Sequence, residues 1–438
     1  MHNKSSLLRS AGILALTGVL FVANLVSAED SPASRPVQTT LSAQDAAKIA
    51  IDANRDLAAA RYIVAQSIGR LQQAGLWLNP ELELARTTDR GFNDEGEYSG
   101  TVGFNQKFPI SGRLSRAENV ARVDVALAEA EIRDRERLLI GEVLQTAREL
   151  LITDERLRLN QNTQKTLTEL VNASAKRLRQ AEVSLADLNL QKIELQRLAL
   201  RASALNLERE KLRIALNHLL GKEPAERLQI TDAMPRYVAS FNIDSEAAIQ
   251  RRPDRQIAAL QIDRAAAEQS LARAERWEDW TIGLGYDRDV TKFNSSAVAD
   301  KSDQFLGLRI TIPLPLWNRN QGKLIETNAA RSRTFGELQA IELKISAEIE
   351  SAKSEVSRLS SILNQYEQET LKLAEENTNI LKGGYSDGLI PISSVIQGQQ
   401  QLGSIREDYA EALKAFSRAV TALETSLASN PLLERSSS

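Results

Sequence analysis

"LRITIPLPLWNRNQG", residues 308–322, holds the turning point of the chain. Leu308, Ile310 and Ile312 alternate with Arg309 and Thr311, the period-two pattern of a strand with one apolar and one polar face. Pro313 and Pro315 then end the strand, because proline donates no ladder hydrogen bond. After Pro315 no proline occurs until Pro391, which leaves room for a very long helix. A membrane-length strand is therefore expected to run directly into that helix.

Moving outward, the same order occurs twice. Leu57, Ala58, Ala59, Leu71, Ala74 and Trp77 recur two hundred residues later as Ile257, Ala258, Ala259, Leu271, Ala274 and Trp277, and Leu82 and Leu84 recur as Ile282 and Leu284. Gly103, Phe108 and Pro109 match Gly307, Ile312 and Pro313 at a spacing four residues longer, so a surface loop of variable length lies between the strands. Each copy is expected to hold a helix ending at its tryptophan (about 43–77 and 245–277), a strand, a polar loop (88–98 and 288–303) and a second strand (99–108 and 304–312). Leu82, Leu84, Phe104, Phe108, Ile282, Leu284, Tyr286 and Leu306 extend the apolar face, while Glu81, Glu83, Asn105 and Lys107 extend the polar one.

Long helical hairpins follow each strand pair. Ile341, Ile345, Ile349, Ala352, Val356, Leu359 and Leu363 step by three or four along one continuous apolar seam. Breaks are expected near 181–184 and at "GGYSDGLIPIS", 383–393, where each helix folds back. A helix over 114–180 would be about 100 Å long, and the returning helix over 184–220 about 55 Å. The entry helix adds about 52 Å, so two short helices stacked end to end match the long one.

Composition bounds the function. Of 438 residues only 5% are aromatic, with 21 Gly and 11 Pro, a profile of long helices. The formal charge of −3 suggests no nucleic-acid partner. Without cysteine there is no disulfide, no thiolate metal site and no lipid-modified N-terminal cysteine; His2 and His218 are the only imidazoles. No Ser/His/Asp set, phosphate loop or His/Cys metal cluster is present, so no enzyme and no cofactor is expected. Residues 1–28 read as a secretory signal: Lys4 and Arg9, an uncharged stretch from Ala11 to Ala23, and small residues at Val26-Ser27-Ala28. Losing Lys4 and Arg9 takes the charge from −3 to −5. An exported chain with no apolar helix long enough to span a bilayer must enter a membrane as strands. Four strands cannot close a barrel, and open edges are not tolerated in lipid, so several copies must share one barrel of eight, twelve or sixteen strands.

The two repeats, "ALNHLLG" at 215–221 and "GGYSDGLIPISSVIQGQQ" at 383–400 together resemble the TolC-type outer-membrane efflux family over Leu41 to about Leu427. "IPLPLWNRNQG", 312–322, is similar to the branch serving heavy-metal exporters of the cobalt, zinc and cadmium type. The resemblance implies a mainly α fold with a membrane β-barrel: hairpins forming a periplasmic α-barrel, and four strands per protomer in a shared outer-membrane barrel. It implies a homotrimer that works with a periplasmic adaptor protein and an inner-membrane RND pump, embedded in outer-membrane lipid. Its function would be a passive exit duct, for heavy-metal cations or alternatively for drugs or secreted proteins. A secreted structural coiled coil is the remote alternative, against which the alternating strands speak.

The expected layout is a signal peptide at 1–28, a flexible segment at 29–40, a first repeat at 41–222, an equatorial connection at 223–243, a second repeat at 244–428 and a flexible tail at 429–438. The periplasmic entrance and adaptor contact are assigned to Ala181, Val183, Ser184, Asp187, Tyr385, Asp387, Gly388, Pro391, Ser394 and Gln397. Asp187 and Asp387 are either a cation-selecting mouth or simple turn and cap residues. Ser394 and Gln397 stand where the family commonly carries a ring of aspartates. Trp77 and Trp277 are candidate membrane-interface anchors, and Pro109, Pro313 and Pro315 mark strand-to-helix junctions. The second turn, with Gly383, Gly384, Gly388 and Pro391, is expected to be the flexible one, since the first contains neither residue type.

Overall fold

Side-chain caps divide the entry helices. The computed structural model describes residues 39–91, 96–232, 244–292 and 301–428. Ser42 opens α1 (Ala43–Ala53), its Oγ accepting the Asp45 N–H at 3.0 Å. Asn54 closes α1 in an extended conformation and caps α2 (Arg55–Ala74), its Oδ1 accepting the Leu57 N–H at 2.8 Å. The same break separates α5 (Ser245–Arg251) from α6 (Pro253–Ala274), where Pro253 forces Arg252 out of the helical region. The single helices expected over 43–77 and 245–277 are thus each two helices, ending three residues short of Trp77 and Trp277.

Between these entry helices lie β2 (Glu81–Thr88), β3 (Tyr98–Phe108), α3 (Arg113–Arg179) and α4 (Leu185–Leu219). α3 runs 67 residues without a break. A two-stranded parallel ribbon pairs β1 (Thr39–Leu41) with β4 (Leu228–Ile230). Part of the segment expected to be flexible at 29–40 is therefore strand, as is part of the connection at 223–243. The signal peptide and the tail at 429–438 lie outside the described residues.

The second half continues with β5 (Trp280–Thr291), β6 (Lys301–Thr311), α7 (Gln321–Gln365), α8 (Leu371–Ser386) and α9 (Ile392–Leu427). Both strands reach further than the 288–303 loop expectation allowed, because Arg288 to Thr291 keep pairing with Gln304 to Lys301. α7 and α8 form one rod interrupted by a π turn at Tyr366–Thr370. Tyr366 packs edge-on against Tyr409, with ring centroids 6.2 Å apart, and the Tyr409 hydroxyl donates to Glu367 at 2.6 Å. Burial first and the Glu367 acceptor second push the Tyr409 phenol far above its ordinary value.

Among the described residues, three apolar clusters hold the helices. Ala46, Ala47 and Ala50 of α1 pack on Ile140, Val143 and Ala147 of α3, small residues that let the two backbones approach closely. Ile345, Ile349, Ala352, Val356 and Leu363 form the expected seam and meet Phe416, Ala419 and Leu423 of α9, with Ile341 and Leu359 at its margin. Ile392, Val395 and Ile396 pack with Leu170, Leu381 and Tyr385 at the far end. Phe416 is only 1% exposed, so its removal would cost about 3–5 kcal/mol.

The strands make one antiparallel sheet in the order β2-β3-β5-β6. Among the described residues, the outer edges of β2 and β6 have no strand partner, and no helix is long and apolar enough to cross a membrane.

Candidate functional surfaces: the sheet and the helical turns

Register aligns the alternating residues into rows. Leu82, Phe104, Leu284 and Leu308 lie side by side across all four strands, and Leu84, Val102, Tyr286 and Leu306 form the next row. Leu84 is 70% exposed and Leu306 76%, so among the described residues nothing covers this apolar face. Exposed apolar area of this extent marks a contact with lipid or another chain.

The opposite face is polar. Glu81, Asn105, Gly283 and Arg309 share one row, and Glu83, Gly103, Gly285 and Gly307 the next. Lys107 meets Glu81 at 3.1 Å, Asn105 donates to Glu83 at 3.1 Å, and Thr101 donates to Asp287 at 2.6 Å. A Cβ on Gly283 would lie 2.1 Å from the Asn105 Oδ1, so a larger residue there would push the Asn105 amide aside. Phe305 departs from the pattern, being half-exposed on the polar face.

Sheet and helices meet at a junction rich in aromatics. Trp77 packs edge-on against Phe108, with centroids 5.7 Å apart, and Arg276 lies over the Trp277 ring at 5.9 Å. Both tryptophans remain about half exposed. Arg113 forks onto Asp279, with Nε to Oδ1 at 2.7 Å and Nη2 to Oδ2 at 2.5 Å. That pair of hydrogen bonds holds the Asp279 carboxyl below its ordinary value, against the opposing effect of burial.

Pro109 stands four residues before α3, and the turn uses Gly112 in the left-handed region at φ 68°. After β6 the expectation of a direct strand-to-helix passage fails. Residues 312–320, including Pro313 and Pro315, intervene before α7. Asn320 takes the left-handed position at φ 59° and donates from Nδ2 to the Ala272 carbonyl at 2.8 Å. This longer passage presents Leu314, Leu316 and Trp317, the last 87% exposed. Trp317 is a further candidate anchor that sequence reading passed over, although its tryptophan beside the strand end was signal enough.

At the other end of the helices the two turns share one geometry. After α3, the Glu182 N–H donates to the Arg177 carbonyl at 3.1 Å and the Ala181 N–H to the Leu178 carbonyl at 3.0 Å, with Ala181 at φ 59°. After α8, the Leu389 N–H donates to the Gly384 carbonyl at 2.8 Å and the Gly388 N–H to the Tyr385 carbonyl at 3.1 Å, with Gly388 at φ 77°. Both are Schellman caps, one built on alanine and one on glycine. The two turns therefore differ less than their compositions suggest. Gly384 serves close packing, since a Cβ there would lie 2.4 Å from the Ile390 Cδ1.

The candidate entrance residues fall on these turns. Ser184 caps α4, its Oγ accepting the Asp187 N–H at 3.1 Å and donating to the Asp187 carboxylate at 2.7 Å. Asp387 is the C-cap of α8, donating its N–H to the Gly383 carbonyl at 3.0 Å. Pro391 precedes α9, its carbonyl accepting the Ser394 N–H at 3.1 Å, and Gln397 is exposed one turn later. Ala181, Gly388 and Pro391 are exposed, and Val183 is half-buried. Tyr385 joins the two hairpins: its hydroxyl lies 3.5 Å from the Ser174 Oγ, and Arg177 sits 5.9 Å over its ring. Further along, Arg156 reaches Glu407 and Glu411, Arg201 reaches Glu407, and Lys414 reaches Glu208, so charged pairs also bind α9 to α3 and α4.

Residues 245–429 match the family described as outer membrane efflux protein. The chain is 23% identical over 387 residues to the cobalt-zinc-cadmium resistance protein CzcC of Cupriavidus metallidurans, covering 88% of this chain and 89% of that one. Its fold is similar to crystal structures of CusC, with a TM-score of 0.73 and 18% identity over 88% of this chain and 91% of that one. It is also similar to the outer-membrane channel OprN, with a TM-score of 0.71 and 16% identity over 89% of this chain and 90% of that one.

Proposed function

We propose that this chain, a TolC-like outer membrane efflux protein, is the passive exit duct of a tripartite system that exports heavy-metal cations. The four-stranded sheet carries the reading. Among the described residues it has an uncovered apolar face, a charged opposite face and two unpaired edges, so it is complete only when copies join edge to edge. Three copies would give a twelve-stranded barrel with the leucine rows toward lipid and the Glu81 and Arg309 row toward the lumen. Two repeats, 41–222 and 244–428, supply each copy's strands and hairpins. The hairpins continue the barrel as a periplasmic tube, reached after export by a cleaved signal peptide.

The duct performs no chemistry. An inner-membrane RND pump supplies the energy, and a periplasmic adaptor meets the two turns around Ala181 and Gly388. Support for a metal cargo comes from the likeness to CzcC, whose name states cobalt, zinc and cadmium resistance. Deleting the gene and measuring growth on zinc, cobalt, cadmium and copper tests the cargo. Unchanged tolerance of all four with lost drug tolerance would assign the duct to multidrug efflux instead. Conductance of the purified oligomer in planar bilayers tests the duct itself, and a protein that inserts without conducting would refute it.

A further inference from the structure

We propose that Arg86 and Arg288 together bind the phosphate of an anionic lipid headgroup at the outward edge of the apolar band. The inference rests on the reading that the leucine rows face outer-membrane lipid.

The sheet register sets the geometry. Leu84, Val102, Tyr286 and Leu306 form the outermost fully apolar row; two residues further from the helices the row reads Arg86, Gly100, Arg288 and Gln304. Arg86 and Arg288 pair with Gly100 from its two sides, so their Cα atoms stand about 10 Å apart with no side chain between them. From Trp280 to Arg288 is about 26 Å along the strand and about 20 Å along the membrane normal at ordinary barrel tilt. An apolar band is about 25 Å tall, so the arginine backbones lie within about 5 Å of its outer limit, close enough for their long side chains to reach the headgroups.

Their bonding leaves the charges available. Both side chains are exposed. Arg86 lies 5.1 Å over the ring of Tyr98, an interface aromatic one row further out, and the Arg288 Nε donates to the Ser302 Oγ at 3.3 Å. Among the described residues neither arginine has an ion-pair partner. The nearby carboxylates Asp287, Asp289 and Asp303 occupy the opposite face, where they cannot neutralise them. A charge is tolerated at the interface only when something hydrates or pairs it, and membrane phosphate is the anion found at that height. Guanidinium groups grip phosphate through a two-pronged fork that an ammonium lacks, and Gly100 leaves the headgroup room to approach the backbone.

Native mass spectrometry of the purified full-length oligomer, titrated separately with phosphatidylglycerol, bisphosphorylated lipid A and phosphatidylcholine, tests the site. The pair R86Q/R288Q should retain the two anionic lipids about tenfold less than the unaltered protein, with phosphatidylcholine unchanged. R86K/R288K, which keeps the charge but not the fork, should retain them about threefold less than the unaltered protein, and the lumen-face variant R309Q should match the unaltered protein. Equal thermal stability of the oligomers would show that each variant folds. Retention that ignores the arginines, a lysine pair that binds as well as the unaltered protein, or full displacement by inorganic phosphate would each overturn the proposal. An unaltered protein that retains no lipid of any class would overturn the membrane reading as well, which separates the two failures.

Discussion

Gly221 offers the sharpest test of the fold. It closes α4 at φ 67°, with its N–H donating to the His218 carbonyl at 3.0 Å and the Lys222 N–H to the Asn217 carbonyl at 2.9 Å. Replacing it with alanine carries two costs. A side chain in the left-handed region costs about 1 kcal/mol. The new Cβ would also lie 2.1 Å from the Ala53 carbonyl oxygen, backbone that no rotamer change can move. Forcing the α1–α2 joint aside adds about 1–3 kcal/mol. Gly388 is the matched control, because it is equally left-handed at φ 77° yet has nothing within 4 Å of a built Cβ. Hydrogen exchange at the C-terminal turn of each preceding helix reads the local opening free energy. Gly388→Ala should raise exchange about fivefold, and Gly221→Ala about thirtyfold more than that, equivalent to a difference of about 2 kcal/mol. Two variants within about threefold of each other would refute the claim that the α1–α2 joint rests directly on the end of α4.

Ala181→Gly should act in the opposite direction, slowing exchange at the end of α3 by about threefold as the left-handed strain is relieved. The Arg113–Asp279 fork should weaken in acid: a carboxyl held below its ordinary 3.8 when folded contributes stability above that value and loses it as pH falls through the folded pKa. Asp279→Asn should abolish that acid-sensitive part of a stability-versus-pH titration, and an unchanged profile would contradict it. Cysteines at Leu308 and Ile310 should react with a lipid-soluble reagent and those at Arg309 and Thr311 with a water-soluble one; the reverse order would invert the sheet's faces. Disulfides joining the second turn, around Gly388, to the adjacent protomer should stop export while oligomers still assemble, and normal export from a fully cross-linked protein would show that this flexible turn need not move to open the entrance.

Most of the architecture was written in patterns that act over many residues. The Ile341–Leu363 seam was legible because burial repeated every three or four positions, and the sheet faces because alternation persisted along four strands. What escaped notice depended on single residues acting locally. Asn54 resembles any polar helix residue until its side chain is seen accepting the Leu57 N–H. Ala181 has no left-handed signature of its own, so the first turn looked unlike the second although both close through the same two hydrogen bonds. The π turn at Tyr366–Thr370 left no mark, since its widened ladder is settled by packing against Tyr409. The passage from Ile312 to Asn320 was misjudged because two prolines announce where a strand stops, not where the next helix starts.

The unpaired edges of β2 and β6 carry a genetic consequence. A chain that closes its own barrel fails alone when mutated, leaving its neighbours intact. Here each copy would complete the next, so one copy with a damaged β6 edge would spoil every assembly that it enters. Co-expressed with normal chains, such a copy should act as a dominant inhibitor, and the intact fraction should fall as the cube of the normal share in a three-copy ring. A lesion confined to the promoter, which only lowers the amount of chain, would be recessive by comparison. Inheritance pattern alone would then distinguish damage at the sheet edge from mere loss of the protein.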